Sequence, residues 1–172
     1  MALREVQPSD LIKIELLATL LKLFNRRNKN QHRRSIWWRH FSGFRRHLIH
    51  IWINYHHLNK VPTTHLERTR KATKDVITRT QLNGRIALWQ EHLVPRWHHA
   101  YSQLVADQQF AVLGVTLLGA LAEACQILGI TETFEELGQV EVEKAIEEFG
   151  EEYWKDEDGG EDRGVVVKRE EV

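Results

Sequence analysis

The sequence predicts an all-α fold: a helical bundle of four main helices, followed by an acidic C-terminal helical extension and a disordered tail. Three observations carry this expectation. Only three prolines, Pro8, Pro62 and Pro95, interrupt the 172 residues. The alternation of apolar and polar residues that marks a half-buried strand is nearly absent, while apolar residues recur at spacings of three and four throughout. With 42% apolar and 28% charged residues, the chain has enough apolar material for one ordinary core plus some additional chain. The expected division is residues 1–130 as the helical bundle and residues 131–172 as acidic extension and tail.

The first helix begins near the capping residues Ser9 or Asp10. It carries the stripe Leu11, Ile14, Leu17, Leu21 and Phe24 and ends between Asn25 and Asn30. A second helix is expected from about Arg34 to Leu58. Trp37, Phe41, Phe44, Leu48, Ile51 and Tyr55 repeat there at intervals of four and three and define its buried face. At about 100° per residue, Arg39, Ser42, Arg46 and His50 point away from that stripe, with Trp38 and Arg45 on its flank.

Pro62 marks a turn over residues 61–63. Thr64 with Glu67 three positions on has capping-box form, so a third helix should run from Thr64 to about Leu93. Its first half is polar and basic; Leu82, Ile86, Trp89 and Leu93 supply an apolar stripe at its far end, so the two halves should face different surroundings. Gly84 weakens its middle by roughly 1 kcal/mol relative to alanine. Pro95 suits the first turn of a fourth helix running unbroken through Leu104, Phe110, Leu117 and Leu121 to a stop near Gly129. Apolar almost all round after Phe110, this helix is expected to be the central one. A membrane span is not expected, because Asp107 and Glu123 bracket only thirteen uncharged residues from Phe110 and about 20 are needed. Thr133 to Glu136 should start a last helix with Val140, Ile146 and Phe149 as weak apolar contacts, giving way to an acidic, glycine-containing tail from Asp156 to Arg163.

Formal neutrality conceals a division of charge. Residues 1–121 hold 19 basic and 7 acidic side chains, a net +12, and residues 122–172 hold 5 and 17, a net −12. The densest stretch, Lys22 to His50, contains Lys22, Arg26, Arg27, Lys29, Arg33, Arg34, Arg39, Arg45 and Arg46 without one carboxylate. Such a run repels itself unless an anionic partner neutralises it. A charge run is often only a solvated face, but nine uncompensated cations favour nucleic acid. A lone cysteine, Cys125, and the absence of a secretory pattern at Met1 to Asp10 lead to the expectation of a reducing, intracellular setting.

Catalytic patterns are missing: there is no phosphate-binding glycine loop followed by Lys-Ser or Lys-Thr, no His-Glu-x-x-His, no Gly-x-Ser-x-Gly and no paired-cysteine zinc spacing. The ten histidines include the adjacent pairs His56–His57 and His98–His99, which point about 100° apart on a helix and do not readily share a metal. His47 and His50 are better spaced but lack a nearby Cys, Asp or Glu. A nuclease role for His32 fails for want of a nearby acid or base. Cys125 reads as a small core residue. No metal, cofactor or small-molecule substrate is expected. Of Trp37 and Trp38, the first belongs to the buried stripe; the second is open to packing against a neighbouring helix or to stacking on a base or partner.

Two strings in the chain are unusual: Arg27-Asn28-Lys29-Asn30-Gln31-His32-Arg33-Arg34-Ser35-Ile36-Trp37-Trp38, and Val94-Pro95-Arg96-Trp97 followed by Ser102-Gln103-Leu104-Val105-Ala106-Asp107-Gln108-Gln109-Phe110-Ala111. In order and separation they resemble the fungal RNase MRP protein subunit family, over roughly Leu11 to Ala124. The resemblance implies membership in a nuclear ribonucleoprotein endoribonuclease whose RNA performs the cleavage while its proteins stabilise the RNA fold and shape substrate access. It implies processing of ribosomal RNA precursors, MRP RNA and other RNase MRP protein subunits as partners, no membrane, and location in the nucleus, within it the nucleolus. The acidic C-terminal stretch departs from the basic tails of such proteins, so import in company with a partner is expected.

The residues and the resemblance together lead to a non-catalytic RNA-binding subunit. Arg26, Arg27, Lys29, Arg33, Arg34, Arg39, Arg45 and Arg46 are the phosphate-contact candidates. Asn30, Gln31, His32 and Trp38 are candidates for shape or base recognition, and Arg96, Trp97 and Asp107 for partner docking. Asp107 is otherwise readable as a hydrogen-bonded tie between helices. The alternative is a protein-interaction adaptor of another nuclear complex, without direct RNA contact, in which the basic face meets acidic proteins and Trp38 is a hot spot.

Overall fold

The computed structural model describes residues 8–156. Among them the chain forms six α-helices and no strand: α1 (Pro8–His32), α2 (Ile36–Asn59), α3 (His65–Leu88), α4 (Val94–Ala106), α5 (Ala111–Leu128) and α6 (Thr131–Asp156). The fold is all-α, as the spacing of apolar residues predicts. Two compact units divide at Leu137/Gly138. The first holds α1 to α5 and the opening of α6, whose Phe134 and Leu137 pack against the core. The second begins at Gly138; in it Val140 and Ile146 are exposed. The side chain of Phe149 and the tail beyond Asp156 lie outside the described residues.

The helix borders follow local chemistry. Thr64 Oγ1 accepts from the Glu67 N–H at 3.3 Å while Glu67 Oε2 accepts from the Thr64 N–H at 3.3 Å, completing the expected capping box. At the end of α5, Gly129 takes φ 72°, and the Ile130 and Gly129 N–H groups return to the carbonyls of Cys125 and Gln126. Glycine is needed there because only it enters the left-handed region without cost.

Two junctions differ from the sequence expectation. The third helix does not end at a turn before Pro95 but passes into α4 through a π-helical turn, Trp89–Leu93, with the Val94 N–H bonded to the Trp89 carbonyl. Pro95 has no N–H to give and its ring crowds the carbonyl four residues back, so the helix widens to carry it. The expected fourth helix, in turn, is broken. Asp107 leaves helical geometry at ψ 27°, and Gln108, at φ 25°, is the one non-glycine residue with positive φ among those described. A 3₁₀ turn over Gln108–Phe110 then leads into α5.

That corner works because Gly114 sits where α5 crosses α4. A Cβ there would lie 2.7 Å from Val105 Cγ2 and 2.9 Å from the Tyr101 carbonyl oxygen. Gly114→Ala is therefore expected to destabilise the fold by about 1–3 kcal/mol. Gly84→Ala, whose added Cβ meets nothing within 4 Å, should stabilise it by about 0.5–1 kcal/mol. Thermal or urea unfolding of the two variants checks the opposite signs.

The central helix is α2, not α5. It packs against α1, α3 and α4, and its buried residues are Trp37, Trp38, Phe41, Phe44, Leu48, Ile51 and Tyr55. From α3 only Leu82 is fully covered, which leaves its polar first half outside, as expected. Trp89 and Tyr101 are wholly buried. Trp89 packs edge-on to Trp97 at 4.9 Å between ring centres, and its indole N–H donates to His47 Nδ1 at 3.3 Å. Desolvation, followed by the charges of Arg85, His50 and Arg46, lowers the His47 pKa and keeps that nitrogen an acceptor.

Helix α5 packs on α4 and α1 with Leu117, Leu121 and Cys125 while leaving Val112 and Val115 exposed. With its flanks, Gln108–Leu128 is 21 residues, long and apolar enough to cross a membrane by length and composition. The expectation from its thirteen uncharged residues understated it, although its inner face is packed as core. Cys125 is buried, and burial pushes its thiol up to about 12, which suits a core residue.

Candidate nucleic-acid interface

The two unusual strings of the sequence meet in space. At the corner between α1 and α2, the Arg33 and Ser35 N–H groups bond back to the Lys29 and His32 carbonyls. His32 folds inward there to 7% exposure. Its ring lies 5.0 Å from Trp37 and, edge-on, 4.9 Å from Phe110. His32 thus pins the middle of the first string to the end of the second. Turning His32 inward leaves Arg33, Arg34 and Arg39 exposed around the corner.

Beside this pin runs a groove of about 540 Å³ between the start of α2 and the outer face of α4. Ile36, Trp37, Ala100 and Leu104 give it apolar walls, and His40, Arg96, His99, Gln103 and Asp107 its polar groups. Ile36 is 75% exposed, unusual for an isoleucine one residue from a buried tryptophan. The His40 pKa is lowered, by desolvation first and then by the charges of Arg96 and His99. At neutral pH its imidazole therefore offers one donor and one acceptor rather than a charge. Flat apolar walls with mixed hydrogen-bonding groups at the edge suit an unstacked base, and the guanidinium of Arg96 suits a phosphate. The volume falls within the range of small-ligand sites.

The structure distributes the candidate residues unequally. Arg96 and Asp107 come together in the groove, Asp107 exposed at the helix corner rather than buried between helices. Arg26, Arg27, Lys29, Asn30 and Gln31 are exposed on α1. Arg27 lines a different hollow with Leu20, Leu23, Asn28, Leu113 and Thr116. Arg46 is exposed, its Nε donating to the Ser42 carbonyl at 3.2 Å. Arg45 is half-buried, its Nε enclosed. The cations are thus shared between α1, the corner and α2, and Arg27 among them lines a hollow of its own.

Three expectations need correction. Trp38 is 5% exposed, packed on Phe41 and Trp37 at 4.7 and 5.4 Å between ring centres, so its indole is not presented for stacking or docking. Trp97 is 3% exposed against Phe44 and Trp89, so its ring is not presented for docking, whereas the neighbouring Arg96 is exposed. His32 is the corner pin just described. His32 and Trp97 are each covered by rings from other elements, Phe110 over the first and Phe44 over the second. His40, His99, Gln103 and Ile36 were absent from the sequence-derived site. A signal for part of it existed, since Arg96, His99, Gln103 and Asp107 recur at three and four along one face. The adjacent histidines do diverge: His98 turns inward against Phe134 at 5.1 Å between ring centres, and His99 faces the groove.

A family model described as Ribonuclease MRP protein subunit RMP1 matches residues 20–123. Among curated proteins, the chain is similar to the ribonuclease MRP protein subunit rmp1 of Schizosaccharomyces pombe, with 29% identity over 110 residues. That alignment covers 64% of this chain and 39% of the relative, so the chain spans well under half of the relative's length. No solved structure matches it. The matched stretch contains both strings and every residue lining the groove.

Proposed function

The chain belongs to the Ribonuclease MRP protein subunit RMP1 family, and on that footing we propose that it is a non-catalytic, RNA-binding protein subunit of RNase MRP. In this reading it contacts MRP RNA and other protein subunits of the enzyme, supports the processing of ribosomal RNA precursors, and works in the nucleus, within it the nucleolus. The observation that carries the proposal is the meeting of the two strings at one corner, where a groove with apolar walls and polar edges opens at the start of α2, the helix on which Arg39 and, just before it, Arg33 and Arg34 are exposed. Phosphates taken by the arginines fix the register, and the groove reads a splayed nucleotide. The bundle of residues 1–130 carries this role and residues 131–172 extend it.

A protein-adaptor reading draws on a different feature. Ile12, Leu16, Leu20 and Leu23 form an exposed apolar row on α1, and Val112 and Val115 are exposed on the adjoining α5. Purification of the tagged protein from its own cells, with sequencing of the RNA retained after a high-salt wash, separates the two readings. Strong enrichment of one structured nuclear RNA, the MRP RNA, is expected. A set of protein partners that survives nuclease digestion, with no RNA enriched, would replace the RNA reading by the adaptor.

A further inference from the structure

A second group of cations lies at the other end of α2, away from the first groove. The α2–α3 turn encloses a hollow of about 490 Å³ with Lys60, Arg70, Lys71 and Lys74 on its walls together with one carboxylate, Glu67, and with His57, Pro62 and Thr73 between them. The two carboxylates nearest to it are already engaged. Glu67 accepts from the Thr63 N–H at 3.0 Å, the Thr63 hydroxyl at 2.8 Å and the Thr64 N–H as the α3 cap. Those bonds, with the charge of Lys60, hold its carboxyl below the usual range. Asp75 is held by Lys71 Nζ at 2.7 Å.

Lys71 also donates to the Leu58 carbonyl at 2.8 Å, so it fastens the end of α2 to α3 and shapes the wall. Lys60, Arg70 and Lys74 remain exposed and make no ion pair among the described residues. Lys60, Arg70 and Lys74 around a preformed hollow outnumber its one lining carboxylate, Glu67, which is engaged in the α3 cap, and so present the charge pattern that binds phosphate. Pro62 and the aliphatic stems of the lysines provide apolar wall beneath the charged heads, which fits a sugar-phosphate better than an extended acidic peptide.

Position adds a second argument. From Ile36 at the first groove to His57 at the hollow, α2 is one unbroken helix. At 1.5 Å per residue the two ends stand about 30 Å apart. That span exceeds what one nucleotide bridges and matches separate segments of a folded RNA.

We propose that the hollow at the α2–α3 turn is a second RNA-phosphate site, and that α2 acts as a rigid spacer holding one folded RNA at both of its ends. The inference rests on the RNA-binding reading above and deepens it. Two contacts on one ligand raise affinity through effective concentration without any further contact.

The test uses the full chain and its enriched RNA, titrated with salt. Arg70→Glu with Lys74→Glu should weaken binding about tenfold at low salt and flatten the slope of log affinity against log salt by about 1.5 to 2 units. Arg70→Gln with Lys74→Gln should fall between that variant and the parent, and circular dichroism should be the same for all three. A parent that binds RNA beside a double variant of equal affinity and slope overturns the second site and leaves the first groove standing. A double variant that loses only an acidic protein partner likewise overturns the second site alone, whereas a parent that does not bind RNA overturns both.

Discussion

Replacing Arg33, Arg34 and Arg39 together with glutamate is expected to weaken binding of the RNA by a hundredfold or more at low salt. All three side chains are exposed, so each contact is partly screened and contributes about 1 kcal/mol rather than the larger value of a buried charge pair. Three such losses sum to about 3 kcal/mol, a little over a hundredfold, before the added repulsion of the glutamates. The parent protein, neutralising about six phosphates, should show a slope of about −4 to −5 in log affinity against log salt, and the triple variant one flatter by two to three units. Helix content should be unchanged, because none of the three contributes to the core. Equal affinity of parent and variant across the salt series would remove the α1–α2 corner as an RNA contact.

The largest effect on stability is expected from Trp89→Ala, at about 3–5 kcal/mol, a large share of the 5–15 kcal/mol that holds a typical domain folded. Trp89 is completely buried. It packs on Trp97 and Phe44, and its N–H is satisfied by His47, so truncation opens a cavity and leaves His47 Nδ1 without its donor. The residue also begins the π-helical turn that carries the chain from α3 into α4. Loss of packing there loosens Trp97 and the helix that supplies Arg96, His99 and Gln103 to the groove. Trp52→Ala is the natural comparison, since Trp52 is half-buried and stacks on His56 at the surface of α2. Urea unfolding should separate the two by at least about 1.5 kcal/mol, and a Trp89→Ala midpoint no lower than that of Trp52→Ala would contradict the assignment of Trp89 as the keystone of the aromatic cluster.

Several elements were legible from residue order alone because their causes are local. The stripe from Trp37 to Tyr55 defined α2, Thr64 and Glu67 defined the start of α3, and Gly129 defined the end of α5. Caps and helical periodicity depend on neighbours within four residues, and those neighbours are printed in the sequence. The split of charge between the two parts of the chain, and the exposure of Arg33, Arg34 and Arg39, were equally open to reading.

What the sequence could not supply was the width of each buried face. A period near 3.6 gives the direction of a helix face, whereas the arc that becomes buried depends on how many helices pack around it. Because α2 meets α1, α3 and α4, its covered arc widens to take in Trp38, and the same crowding buries Trp97 and folds His32 inward. Helix α5, apolar on nearly every side, meets fewer neighbours and keeps Val112 and Val115 outside. The break at Asp107 likewise arises from a contact between helices: Gly114 admits the close approach of α4 and α5, which gives the chain reason to turn where its propensity would continue. Residue order by itself determined the helical class, the course of α2, the caps at Thr64 and Gly129 and the charge the helices carry. Only tertiary packing decided which aromatic rings are hidden and that the two unusual strings share one groove, because burial and juxtaposition are set by contacts between segments far apart in the chain.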